Sequence, residues 1–131
     1  HCENAHIINA FLTSLKQIDK IYWPGRKEHK NYLIAKKQMN DFGGMLSFTL
    51  KGNSLKKAIK LISNTKLFKL AESLGGIESL ISHPASMTHT SMPKKEREKN
   101  NLSDSLIRIS IGIEDPDDLI KDLKHAFQKI I

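Results

Sequence analysis

Between Ser105 and Ile120 the hydrophobic pattern changes within a few residues from the period of a strand to the period of a helix. Ile107, Ile109 and Ile111 alternate with Leu106, Arg108 and Ser110, so the spacing predicts a strand over residues 105–113, with the isoleucines on one face and Arg108 on the other. Asp115-Pro116-Asp117-Asp118 then supplies a capping carboxylate, a proline suited to the first helical turn and acids at the positive end of the dipole. Leu119, Ile120, Leu123, Phe127 and Ile130 form the apolar stripe of the helix that follows.

The rest of the chain repeats this exchange of periods. Ile7, Ile8, Phe11, Leu12 and Leu15 place a helix over residues 4–16, and residues 18–23 read as a strand stopped by Pro24-Gly25. Good helix formers fill residues 30–40, with Leu33, Ile34 and Met39 expected inside and Lys36 and Lys37 in water. Residues 45–50 alternate as a half-buried strand with Leu46, Phe48 and Leu50 on one face. Ser54 caps a helix whose expected stripe is Leu55, Ala58, Ile59 and Ile62, and residues 67–71 return as a strand with Phe68 and Leu70 against Lys69. Ser91-Met92-Pro93 opens a short helix, and the mixed-sign run 94–99 reads as its solvated face. Short connections between alternating elements imply an α+β fold: a small, mostly antiparallel sheet with helices over one face and the other face more exposed.

Composition narrows the function classes. A chain of 131 residues, 39% hydrophobic and 27% charged, has the makings of one globular domain, and it contains no apolar run long enough to span a membrane. The net charge of +7 would attract polyanions, but the lysines are scattered and eight aromatics provide no repeated base-stacking platform, which argues against a nucleic-acid partner. The single cysteine, Cys2, excludes an internal disulfide framework and a thiolate metal site, and fits a reducing, cytoplasmic setting. The chain starts at His1 with no basic-then-apolar signal region, so it reads as part of a longer protein.

Chemistry concentrates in AESLGGIESLISHPASMTH, residues 71–89. Gly75-Gly76 permits close backbone approach or positive φ, and Glu72 and Ser73 just before it offer a carboxylate, a hydroxyl and backbone N–H groups. A guanidinium on a neighbouring strand, Arg108, can take a carboxylate in two parallel hydrogen bonds, the geometry that holds an amino acid by its α-carboxylate. A Gly-Gly pair also closes ordinary strand ends, a strand arginine also pairs structural acids, and Glu72 and Glu78 also fit as surface acids. His83 and His89 lack the helical spacing of a zinc pair, and no Ser-His-Asp or Cys-His set stands out. Taken by themselves, the residues stop at a carboxylate pocket.

AESLGGIESLISHPASMTH followed by SMPKKEREKNNLSDSLIRISIGIEDPDDLIKDL resembles the C-terminal signature of the Cys/Met-metabolism enzymes that use pyridoxal phosphate: cystathionine γ-synthase, cystathionine γ- and β-lyases and methionine γ-lyase. HCENAHIINAFL, the YWPG turn and IAKKQMNDFGGMLSFTLKG match the same family in order. The resemblance implies a single small C-terminal domain over residues 1–131, the large pyridoxal-phosphate domain of a fold-type I enzyme lying upstream with the cofactor lysine, so that the chain alone binds no cofactor and is inactive. It implies that Arg108 binds the substrate α-carboxylate, that Ser73 helps hold it, and that Glu72 sits at the distal substrate site and influences reaction specificity. It further implies a cytoplasmic homotetramer performing transsulfuration on an amino-acid substrate. The ESLGG run with its glutamate favours cystathionine γ-synthase or γ-lyase and does not separate the two. The reading taken is the γ-synthase, which replaces the γ-substituent of an activated homoserine with cysteine, with cystathionine γ- and β-lyase and methionine γ-lyase as the alternative and a stand-alone amino-acid-binding module as the non-enzyme one. The family turn usually reads YPGL with a later His-Pro, where this chain has YWPGR with His29-Lys30.

Overall fold

A computed structural model describes residues 1–131. In chain order the elements are α1 (Cys2–Thr13), β1 (Ile18–Tyr22), α2 (Tyr32–Gln38), β2 (Met45–Leu50), α3 (Leu55–Ile62), β3 (Lys69–Leu70), β4 (Leu80–Ser82), α4 (Lys94–Lys99), β5 (Ile107–Ser110) and α5 (Pro116–Gln128). The five strands form one sheet in the order β1-β2-β5-β4-β3, antiparallel except for the short parallel pair β3/β4 at one edge. This is the expected α+β domain. No helix is long and apolar enough to cross a membrane.

Cross-strand partners share a face, so Phe48 opposite Ile107, and Leu46 and Ile81 opposite Ile109, make one apolar surface. It packs against Ala5, Ile8 and Leu12 of α1, Ala58, Leu61 and Ile62 of α3, and Leu119, Leu123, Ala126 and Phe127 of α5 in a continuous core. Two helix starts follow the sequence reading. The Ser54 hydroxyl accepts the Lys57 N–H at 3.2 Å, and the Asp115 carboxylate accepts the Asp117 and Asp118 N–H groups at 2.9 and 3.3 Å.

Several expectations give way. Leu33, Ile34 and Met39 of the α2 segment are exposed, Leu33 at 77%, and Ala35 is the buried residue of that helix. Propensity establishes that a helix forms without saying which side faces the core, and here Tyr32 provides the inward contact by stacking on Phe42. The α3 stripe is likewise turned toward Ala58, Leu61 and Ile62, leaving Leu55 and Ile59 exposed. β3 shrinks to Lys69–Leu70, with Leu70 exposed, because the Asp122 carboxylate on α5 accepts the N–H groups of Lys66, Leu67 and Phe68 and keeps them out of the ladder. β4 lies inside the stretch where no strand was expected. β5 ends at Ser110 because Gly112 and Ile113 donate instead to Ser79 Oγ and the Ile77 carbonyl.

The run 94–99 is not all solvated. Arg97 turns inward to donate to the Met92 carbonyl and to Asp104, and the buried His83 ring joins the same knot through the Asp104 carbonyl and the Ser86 hydroxyl. A carbonyl only accepts, so Nε2 of His83 carries the proton. The YWPGR turn is also explained: Trp23 is buried with Nε1 donating to the Gly43 carbonyl, and Gly25 is required because a Cβ there would lie 2.4 Å from the Trp23 ring. The sheet face away from the core is less open than expected, since Leu80, Ser82, Leu106 and Ser110 on it are buried. Segment 71–79 crosses over Arg108 and Ser110.

Candidate functional site

Arg108 sits in the middle of β5, opposite Ser47 on β2 and Ser82 on β4, so all three belong to the sheet face away from the helices. The strand alternation that buries Ile107 and Ile109 is what turns the guanidinium to the other side. It is half-buried, and its Nη2 donates to the backbone carbonyls of Glu72 at 2.6 Å and Ser73 at 3.3 Å. Glu72 and Ser73, 36 and 35 positions before Arg108 in sequence, thus meet it at one point. It is the carbonyls of Glu72 and Ser73 that face Arg108, while the Ser73 hydroxyl and the Glu72 carboxylate are exposed and make no hydrogen bond within the chain.

With Nη2 engaged, Nε and Nη1 of Arg108 have no partner in the chain. A guanidinium oriented by two peptide carbonyls keeps donors available for a planar anion, and its charge is not neutralised by any acid. The arrangement is one wall and not an enclosed pocket. A cavity of about 720 Å³ runs along edge strand β1 past Lys20, Tyr22 and Arg26 and reaches Ser47, one strand short of Arg108.

The loop that brings Glu72 and Ser73 to Arg108 depends on residues that sequence reading missed. Gly75 has φ +75°, the left-handed conformation anticipated for the Gly-Gly pair, and its N–H donates to the Ser110 hydroxyl at 2.7 Å. Ser79 and Glu114 join the far end of the loop to the strand beyond β5. No periodicity connects a serine with a glutamate 35 positions away. The one local signal was Gly112, which interrupts the alternation after Ile111 and cannot be replaced, since a Cβ there would lie 2.2 Å from the Ile77 carbonyl oxygen.

A sequence profile of the Cys/Met metabolism PLP-dependent enzymes matches residues 1–128. The chain belongs to that family. It is 48% identical over 130 residues to an L-methionine gamma-lyase of Fusobacterium nucleatum, covering 99% of this chain and 33% of the relative. It is 48% identical over 129 residues to a cystathionine beta-lyase of Lactococcus lactis, covering 98% of this chain and again 33% of the relative. The crystal structure of cystathionine gamma-lyase from Lactobacillus plantarum complexed with L-serine superposes with a TM-score of 0.91 at 42% identity, over 99% of this chain and 34% of that one. The chain therefore spans about a third of the length of the relatives it matches, corresponding to their C-terminal part.

Members of this Cys/Met metabolism family depend on pyridoxal phosphate. Its aldehyde is held by a lysine amine freed as a nucleophile in an enclosed setting, and every lysine of this chain is exposed. The residues here do not fit the cofactor itself. Arg108, with donors left unpartnered, fits a planar anion such as a carboxylate.

Proposed function

We propose that this chain supplies the substrate-carboxylate wall of a pyridoxal-phosphate enzyme that breaks the carbon–sulfur bond of a sulfur amino acid by β- or γ-elimination. The observation that carries the reading is the uncompensated guanidinium of Arg108, oriented by the Glu72 and Ser73 carbonyls with Nε and Nη1 unpartnered. On this reading one unpartnered donor of the guanidinium, Nε or Nη1, takes an oxygen of the α-carboxylate, the Ser73 hydroxyl donates beside it, and the exposed Glu72 carboxylate meets the far, amino-bearing end of a substrate such as cystathionine. Anchoring the carboxylate between the oriented guanidinium and the serine hydroxyl restricts the freedom that would otherwise carry the reacting carbon out of line. The cofactor supplies the electron sink for the chemistry. The elimination reading draws on the relatives, which are named as lyases.

A second reading is γ-replacement on an activated homoserine with cysteine, a cystathionine γ-synthase, with which the glutamate at position 72 is as compatible as it is with a cystathionine γ-lyase. On either reading the whole enzyme is a cytoplasmic homotetramer, and the exposed Leu70, Leu74, Ile77 and Ile113 face its large cofactor domain.

The test uses the protein expressed from its full natural reading frame. β-Elimination of cystathionine releases pyruvate, γ-elimination releases 2-oxobutyrate, and γ-replacement makes cystathionine without a keto acid. Arg108→Ala should lower kcat/KM by about 10- to 150-fold, the equivalent of a charge-assisted hydrogen bond worth about 1.5–3 kcal/mol. An unchanged kcat/KM in that variant overturns the clamp. Saturable amino-acid binding by a cofactor-free protein with no turnover overturns the enzyme reading in favour of a binding module.

A further inference from the structure

The segment that carries Glu72 and Ser73 has little apolar anchoring, since Leu74 is 56% and Ile77 69% exposed, and its two adjacent glycines raise the entropy lost on ordering it. Beside the two bonds from Arg108 and that from Lys69 N–H to the Ser79 carbonyl at 2.9 Å, it is ordered by hydrogen bonds that run to residues 110–114. Gly75 N–H donates to Ser110 Oγ at 2.7 Å and Ile113 N–H to the Ile77 carbonyl at 2.9 Å. Ser79, wholly buried, donates its N–H to Glu114 Oε1 at 2.6 Å and its hydroxyl to Glu114 Oε2 at 2.7 Å, and the same hydroxyl accepts the Gly112 N–H at 2.8 Å. Both Glu114 oxygens are thus spent on one serine, with no lysine or arginine bridging them. The backbone carbonyl of Glu114 is held in turn by Asn4 Nδ2 at 2.7 Å, which ties the latch to α1.

Arg108 lies two residues before Ser110 on the same strand. Because its orientation is set by the Glu72 and Ser73 carbonyls, anything that frees the segment from residues 110–114 frees the guanidinium as well. We propose that Ser79 and Glu114 are positioning residues of the carboxylate clamp: they lock the 72–79 segment onto the extension of β5 and thereby fix the angle at which Arg108 presents its open donors. The inference rests on the clamp reading given under Proposed function. A carboxylate suits the latch because Ser79 presents two donors to it. Glu114→Gln offers one acceptor and one donor, which cannot satisfy both.

The test is a double-mutant cycle on KM in the cofactor-loaded full-length protein, with cystathionine as substrate. Ser79→Ala is expected to raise KM about 10-fold with kcat changed less than about 2-fold, because a misplaced clamp loses binding before it loses chemistry. In an Arg108→Ala background the same change should raise KM less than about 2-fold, since the latch then has no guanidinium to aim. Ser79→Thr, which keeps the hydroxyl, should restore KM to within about 3-fold. Glu114→Gln gives an independent route if Ser79→Ala fails to fold. Additive effects in the Arg108→Ala background, or a fall in melting temperature with KM unmoved, overturn the positioning role while leaving the clamp intact. A wild-type KM in Arg108→Ala alone overturns the clamp reading on which it rests.

Discussion

On one side of β5, Ile107 and Ile109 are sealed against Phe48, Leu46 and Ile81 and roofed by three helices; on the other, Arg108 and Ser110 hold a glycine-containing segment by a few individual hydrogen bonds. The two sides share a backbone and differ in what specifies them. The first is an area effect, tolerant of which apolar residue makes it and costly to empty. The second depends on single donors and acceptors, so the same strand carries a core set by area on one face and a surface set by individual hydrogen bonds on the other.

The sharpest break of that contrast is Ile109→Ala, which opens a cavity in the fully buried row and should cost about 2–5 kcal/mol in urea unfolding. A loss below about 1 kcal/mol would mean that the core face is not the stabilising one. Next is Asp122→Ala, which strands the N–H groups of Lys66, Leu67 and Phe68. It should cost roughly 2–4 kcal/mol, as each stranded buried donor is worth about 1–3 kcal/mol and two of the three bonds are only part-buried. It shows that the helical side carries one polar contact as demanding as any on the far face.

A smaller effect belongs to Asp104. Burial opposes its ionisation, but hydrogen bonds from Lys94 and Arg97 and their charges outweigh that cost and hold its carboxyl below the ordinary carboxylate range. A carboxyl whose folded-state pKa lies below its unfolded value stabilises the fold above the unfolded value and ceases to do so as pH falls through the folded one. The contribution should therefore be complete above about pH 4 and lost below it. Asp104→Asn should remove about 1 kcal/mol of it at neutral pH and flatten the acid limb of stability against pH. An unchanged acid limb would show that the Lys94–Asp104–Arg97 knot is not formed in solution. Smallest of all, Leu33→Gln on exposed α2 should change stability by less than about 0.5 kcal/mol, whereas a larger loss would place that helix against something apolar.

The isoleucine row, the Asp115 and Ser54 caps, the left-handed glycine at position 75 and the α+β layering were legible in the sequence. Each follows from local stereochemistry or from a period that one strand or helix imposes on its own residues. The conjunction of Arg108 with the stretch around Glu72 and Ser73 was legible as a motif resemblance and not as a contact. That their carbonyls, and not their side chains, meet the guanidinium is a matter of how segment 71–79 lies across the sheet.

Other features depended on distant chain. The rotated stripe of α3, a β3 cut short by Asp122, and the Ser79–Glu114 latch involve partners tens of residues away, while exposed Leu33 and Ile34 follow from Tyr32 turning inward onto Phe42. Hydrophobic periodicity states that a surface must be covered, but the occupant of that surface, and the single acceptor that claims a buried donor, are chosen by the assembled sheet. By itself the sequence determined the helices and most of the strands, though not β4, that one sheet face must be dry, and which family the motifs belong to. Tertiary structure alone decided which helix sides turn inward and how the guanidinium is aimed, because a hydrogen bond is specified by position in space and not by spacing along the chain.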